Sequence, residues 1–290
     1  MHPVILLAAI LAAAPPDSTD WKAVDQAMGR EGKPQPDGAY KYSLPRSDLK
    51  VTLAGVALKP ALALGSWVAF RQDGGKAMAM GDLVLLQNEI GPVMVKLKQM
   101  GVEPTALHNH VLHESPRVMY LHIEGEGDPV KIAQAVHAAL ALTGTPAAAP
   151  EAASQPAPLD FDSSAVAQAL GYSGKVNGGV YQVSVPRADP VRVHGMTVPS
   201  SMGLATAINF QPTGQGKAAV TGDFVMTGDE VAPVLGALTA AGIEITALHS
   251  HMLQEEPRLF FAHFWANQDA VKLARALGSA LKQMRNKPRA

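Results

Sequence analysis

The chain has no cysteine. That excludes disulfides, thiolate metal centres, cysteine nucleophiles and a lipid-modified N-terminal cysteine. Charge is also scarce: 17% of the 290 residues are charged against 47% hydrophobic, a globular balance far from that of a disordered chain. The net charge of −1 comes with no basic run, which argues against nucleic acid as a partner. No apolar stretch is long enough to span a bilayer, so no stable membrane insertion is expected. Enzyme signatures are missing as well. There is no G-x-S-x-G, Walker loop, Rossmann fingerprint or H-E-x-x-H.

What is present begins with Val4 to Ala14, an unbroken apolar run too short to cross a membrane and followed by Pro15-Pro16. With Ala12-Ala13-Ala14 as a small-residue cleavage site, residues 1–17 read as a signal peptide, and the mature protein is expected in the periplasm or secreted.

Residues 18–142 then read as one α+β domain. Trp21 to Met28 has helical spacing and stops at Gly29; Tyr40–Leu44, Val51–Leu58, Ser66–Phe70 and Ala77–Leu86 read as strands, with Gly74-Gly75 turning the chain. Gln87–Met100 carries a helical stripe with Asn88 as the expected N-cap. Val102–His110 and Val118–Ile123 read as antiparallel neighbours, and Asp128-Pro129 opens a closing helix through Leu142. Residues 143–159 are an Ala/Pro-rich linker.

Residues 160–290 repeat this plan. With a shift of 141, about two in five positions between Gly81 and Leu140 are identical to their partners. Tyr40, Pro45-Arg46-x-Asp48, Gly81-Asp82, Glu89, Pro92 and Gly101 meet Tyr181, Pro186-Arg187-x-Asp189, Gly222-Asp223, Glu230, Pro233 and Gly242. The fold class expected is a tandem duplication of one α+β domain, each copy a mainly antiparallel sheet with helices packed on it.

Six of the ten histidines fall in two matched triplets. The first is His108, His110 and His122 with Glu114 between; the second is His249, His251 and His263 with Glu255. On an extended strand the two histidines of H-x-H share a face and can converge on one ion. Imidazoles with a carboxylate suit a transition metal, zinc first and copper, nickel or iron next, better than calcium or magnesium. His113, in contrast, becomes Gln254, so the stretch does not hold histidine indiscriminately. The expected partner is therefore a metal ion or a small polar ligand, with one site in each domain.

Two alternatives stay open. In a zinc-dependent hydrolase the imidazoles hold the ion and Glu114 or Glu255 serves as general base. In a metal-free module for a cell-envelope glycan or peptide, the histidines bind the ligand directly. Arg46, Arg117, Arg187 and Arg258 are candidate ligand-binding forks, against ion pairs with Asp48/Asp189 or Glu114/Glu255. Asp82 and Asp223, each after a glycine, read as turn or cap residues, and Tyr120, which becomes Phe261, as core packing.

Tyr40 to Asp48, Lys59 to Trp67, Met80 to Leu85 and Thr105 to Tyr120 together resemble the LppY/LpqO family of exported bacterial proteins. The likeness spans both halves. In the second half Ala207 stands where Trp67 does, so any role of that indole belongs to one repeat. The resemblance implies duplication and export, and carries no established activity.

Overall fold

The computed structural model describes residues 19–74, 76–147 and 158–288. The expected signal peptide and residues 148–157 of the expected linker lie outside the described residues.

In the first repeat the order is α1 (Trp21–Met28), β1 (Lys33–Pro34), β2 (Tyr40–Pro45), β3 (Thr52–Leu53), β4 (Val56–Ala57), α2 (Pro60–Ala63), β5 (Gly65–Asp73), β6 (Lys76–Leu86), α3 (Ile90–Gln99), β7 (Glu103–His108), β8 (Val118–Gly127) and α4 (Pro129–Leu140). The second runs α5 (Ser163–Leu170), β9 (Lys175–Asn177), β10 (Val180–Pro186), β11 (Arg192–Val193), β12 (Met196–Thr197), a 3-10 turn (Ser200–Met202), β13 (Ala205–Gly214), β14 (Lys217–Thr227), α6 (Gly228–Ala240), β15 (Glu244–His249), β16 (Glu255–Glu256), β17 (Leu259–Asp269) and α7 (Ala270–Leu281).

Local chemistry accounts for most boundaries. Asp20, Asp128 and Asp162 each accept two main-chain N–H groups at a helix start, and Gly29 and Gly171 end α1 and α5 in the left-handed region. Two expectations need correction. Val51–Leu58 is not one strand: Ala54 and Gly55 adopt positive φ and fold it into the β3–β4 hairpin. Asn88 does not cap α3, which starts after Glu89, and the Glu89 carboxylate turns back to accept the Leu86 N–H at 2.7 Å.

Each repeat forms a six-stranded sheet, ordered β1-β2-β5-β6-β8-β7 and β9-β10-β13-β14-β17-β15, and antiparallel at every pairing. Register is duplicated too. Asp82 lies opposite His122 and Asp223 opposite His263. Ala106 and Ala247 flank those histidines on the other side, each just past a register shift that leaves out Thr105 or Thr246.

The central strands are buried on both faces. One face of each sheet packs on its own helices: Leu83, Leu85, Leu121 and Ile123 join residues of α1, α3 and α4, and the second repeat forms the equivalent core. The other faces meet each other, giving the layer order helices, sheet, sheet, helices. Between β2 and β5, and between β10 and β13, the chain leaves its own sheet as an arm that packs against the other repeat. Leu58, Leu62 and Leu64 meet Val180, Ala219 and Trp265 on one side, and Val193, Met202 and Leu204 meet Ala69, Met78 and Met80 on the other. Polar contacts fix the first arm: Gln182, Asn209 and Gln211 donate to the carbonyls of Ala61, Leu62 and Ala57.

Arg46 and Arg187 do not serve as ligand forks. Arg46 is 0% exposed and is enclosed by Glu89, Asp48 and the Val84 carbonyl; Arg187 repeats this with Glu230, Asp189 and the Val225 carbonyl. These pairs tie the end of one strand to the start of α3 or α6. Arg46→Ala is expected to strand buried Glu89 without its counter-charge and to destabilise the protein by about 3–5 kcal/mol. A midpoint shift in chemical denaturation checks this, with Arg117→Ala on the exposed loop as the near-neutral control.

Candidate metal centre between the repeats

The six paired histidines form one cluster where the two sheets meet, rather than one site in each domain. His108 stacks on His249 with ring centroids 3.8 Å apart. His110 lies 3.8 Å from His263, and His122 lies 3.7 Å from His251. Exchange of residues 141 apart maps the last two pairs onto each other and His108 onto His249. The cluster therefore has an approximate two-fold axis, passing between His108 and His249.

Local structure positions each ring. His122 and His263 project from mid-strand, and His108 and His249 are the last residues of β7 and β15. His110 and His251 lie beyond those strands, in the following loops, so strand geometry is not what aligns the H-x-H pairs. The loops are instead anchored across the interface. Thr105 Oγ1 donates to the His251 carbonyl at 2.6 Å, and Thr246 Oγ1 donates to the His110 carbonyl at 2.5 Å. Behind the loop histidines stand the rings of Tyr120, against His110, and Phe261, against His251.

Asp82 and Asp223 belong to the same cluster and are neither turn nor cap residues. They sit in mid-strand, with Asp82 Oδ2 3.4 Å from His110 Nε2 and Asp223 Oδ2 3.3 Å from His251 Nε2. The glycine before each is required by close strand approach: a Cβ at Gly222 would fall 1.8 Å from the Ala207 carbonyl oxygen, and one at Gly81 2.8 Å from that of Trp67.

The hydrogen-bond inventory is unusual. His108 Nδ1, His110 Nε2, His122 Nε2, both nitrogens of His249, His251 Nε2, Asp82 Oδ1 and Asp223 Oδ1 are buried without a hydrogen-bond partner. Native interiors leave few such atoms, because each forgoes its solvation. Here they converge on one place. His263 Nδ1 donates to the Gly222 carbonyl at 2.8 Å, and His122 makes the matching contact with the main chain of Gly81. A carbonyl only accepts, so the proton sits on Nδ1 and the Nε2 lone pair faces the cluster, as for a metal-ligating histidine held by its outer shell. His263 Nε2 and His108 Nε2 are 3.3 Å apart. Two nitrogens on one tetrahedral ion at bonds of about 2.0–2.1 Å stand about 3.3–3.4 Å apart.

Electrostatics favour neutral rings. Burial, reinforced by neighbouring imidazoles, pushes the basicity of His108, His110, His249, His251 and His263 below the ordinary value of 6.5. Burial lowers His122 to about 4 despite the opposing pull of Asp82. Burial raises Asp82 and Asp223, and Asp82 raises Asp223 further. Three groups have donor atoms within 4.8 Å of one another: His108, His122, His249 and His251; His108, His110 and His263; and Asp223, His251 and His263. Every group mixes the two repeats or includes a carboxylate absent from the sequence reading.

Glu114 and Glu255 stay outside these groups. Glu114 Oε1 accepts the Val118 N–H at 3.1 Å; Glu255 accepts the Leu259 N–H at 3.0 Å and pairs with Arg258 at 3.2 Å. Both close the loop before the next strand, and the spacing that suggested a ligand or base is loop architecture. Arg258 serves that loop, and Arg117 is exposed. A small pocket is lined by Trp67, Met80, Thr105 and Met252 together with His122 and His251.

Fold and site together define a tandem α+β repeat protein with a histidine–aspartate cluster at the repeat interface. The chain belongs to the family described as Domain of Unknown Function (DUF1259), whose model matches residues 22–142 and again 164–283. No curated protein matches the sequence significantly. Among solved structures, the trimeric bacterial microcompartment shell protein PduB is 14% identical, covering 89% of this chain and 97% of its own, with a TM-score of 0.23. EtuB from Clostridium kluyveri is 12% identical, covering 90% and 96%, with a TM-score of 0.21.

Six imidazoles held neutral take up protons on unfolding once the pH is below 6.5. Their contribution to stability is therefore complete above that value and declines as the pH falls toward about 4, the folded value for His122. The raised carboxylates act in the opposite direction, but there are two of them against six imidazoles. Metal-free protein should lose stability between about pH 6.5 and pH 4, by at most about 1.4 kcal/mol per pH unit for each imidazole. Denaturation midpoints across that range check it, and His108→Ala/His249→Ala should flatten the slope.

Proposed function

We propose that the chain is an exported transition-metal-binding protein whose metal centre lies between its two repeats. The observation that carries this reading is the convergence of unpartnered, buried imidazole nitrogens and carboxylate oxygens from both repeats on one place. Neutral imidazoles are the form that binds metal, and the buried carboxylates supply negative charge that a dication offsets. Nitrogen and oxygen donors without sulfur make zinc the first choice, with copper, nickel and iron as ions the same donors serve. His108, His110, His122, His249, His251 and His263 would hold the metal, with Asp82 and Asp223. The general-base role for Glu114 or Glu255 is not favoured, since both lie outside the converging donor groups and each commits one carboxylate oxygen to a main-chain N–H. Export rests on the Val4–Ala14 run with Ala12-Ala13-Ala14 before Pro15-Pro16.

Zinc should stabilise the chelator-treated protein. At about 100 times the dissociation constant the gain is about 2.7 kcal/mol, a rise of roughly 5–10 °C in melting temperature for a chain of this size. The shift should vanish in His108→Ala/His249→Ala. A wild-type melting curve indifferent to zinc, copper, nickel and iron would overturn the proposal.

A further inference from the structure

We infer that the centre holds two ions, each bound by the His-x-His pair of one repeat and the strand histidine of the other, with Asp82 and Asp223 bridging them. The inference rests on the metal reading above and specifies its stoichiometry and wiring.

Donor count comes first. Six imidazoles and two carboxylates meet at the interface, whereas one transition ion takes about four to six ligands. A single ion would leave some of the buried donors without a partner. Two ions accommodate all eight.

The wiring follows from the groups. His108, His110 and His263 have donor atoms within 4.8 Å of one another. Exchange of residues 141 apart turns that triad into His249, His251 and His122, which lies wholly within the observed group His108, His122, His249 and His251. The close ring pairs agree: His110 with His263 and His122 with His251, each joining a loop histidine to the other repeat's strand histidine. No group holds three histidines of one repeat; the group confined to the second repeat, Asp223, His251 and His263, joins one histidine of each triad to a carboxylate.

The carboxylates lie between the two triads. Asp82 is near His110 of one triad and is the cross-strand partner of His122 of the other. Asp223 is near His251 and is the cross-strand partner of His263, with both rings within 4.8 Å of its oxygen. Each aspartate therefore reaches one histidine of each set, and each keeps a second buried oxygen without a partner. That is the position of a bridging carboxylate in a two-metal site, where the ions stand about 3.5–4 Å apart.

The test uses the full chain, stripped with chelator, saturated with zinc and desalted before metal analysis. Two zinc ions per chain are expected. One ion per chain overturns the two-ion inference and leaves the metal reading standing; none overturns both. Copper(II) loading gives a second measurement: two ions per chain with a spin-coupled signal support a bridged pair, and two magnetically isolated signals overturn it. Double variants test the wiring. His110→Ala/His263→Ala removes two ligands of one triad and should leave one zinc ion bound. His110→Ala/His122→Ala removes one ligand from each and should leave none. The reverse pattern, or loss of both ions from both variants, overturns the exchanged ligand sets. Circular dichroism establishes that each variant is folded, and the wild-type measurements decide the two-ion inference if one is not.

Discussion

The structure depends on the desolvation of six imidazoles and two carboxylates in the plane where the repeats meet. Groups of this kind are tolerated in an interior only when they are neutral, paired or ligated. The rings are held neutral, and only some of their nitrogens find partners within the protein. Removing so much polar surface from water is costly, and the apolar arms on either side offset it. Leu58, Leu62 and Leu64 on one flank and Val193, Met202 and Leu204 on the other bury aliphatic surface against the opposite sheet. The cluster and the arms are therefore interdependent. Without the arms the polar plane would be open to water, and without the cluster the arms would clamp two surfaces around unmatched polar groups.

Duplication explains how such an interface is specified. Each repeat carries Asp82 or Asp223 on one central strand and a histidine opposite it on the next, so one sheet face presents half of the cluster. The threonine at the register shift in each repeat holds the loop histidine of the other. Because the ring stacks, the Asp–His approaches and the threonine contacts are made twice, a single sequence pattern defines both halves and makes them complementary, as in an isologous dimer interface. The tether replaces symmetry between chains with approximate symmetry within one.

Much of this was legible before the coordinates. A repeat period of 141, the Asp128 cap, the Gly29 helix end and the pairing of β7 with β8 all follow from local pattern. The shared site did not, for identifiable reasons. In β6 and β14 both faces are buried, so apolar residues flank Asp82 and Asp223 and hide the two-residue period. The preceding glycine then suggested a turn, whereas close strand approach is what requires it. Glu114 has metal-like spacing in sequence but is oriented by the Val118 N–H, a contact that appears only once the loop is folded. The available signal was Thr-Ala-Leu-His in both copies: Thr105 and Thr246 recur three residues before His108 and His249.

The halves have also diverged where symmetry is not needed to build the cluster. Trp67 is the β-partner of Asp82, and Ala207 occupies the same register against Asp223. Lys41 lies 4.2 Å over the Trp67 ring and donates to the Ser201 carbonyl, joining the indole to the second repeat's arm. The pocket is lined by this tryptophan together with His122 and His251. Methionines line it at positions 80 and 252, where the other repeat has Thr221 and Val111. Methionine conforms to irregular shapes without presenting a strong donor. The symmetric part of the molecule is thus the histidine–aspartate cluster, and the pocket wall beside it is asymmetric. His122 and His251 line that pocket, whereas His110 and His263 do not, so the two sides of a symmetric cluster have unequal surroundings.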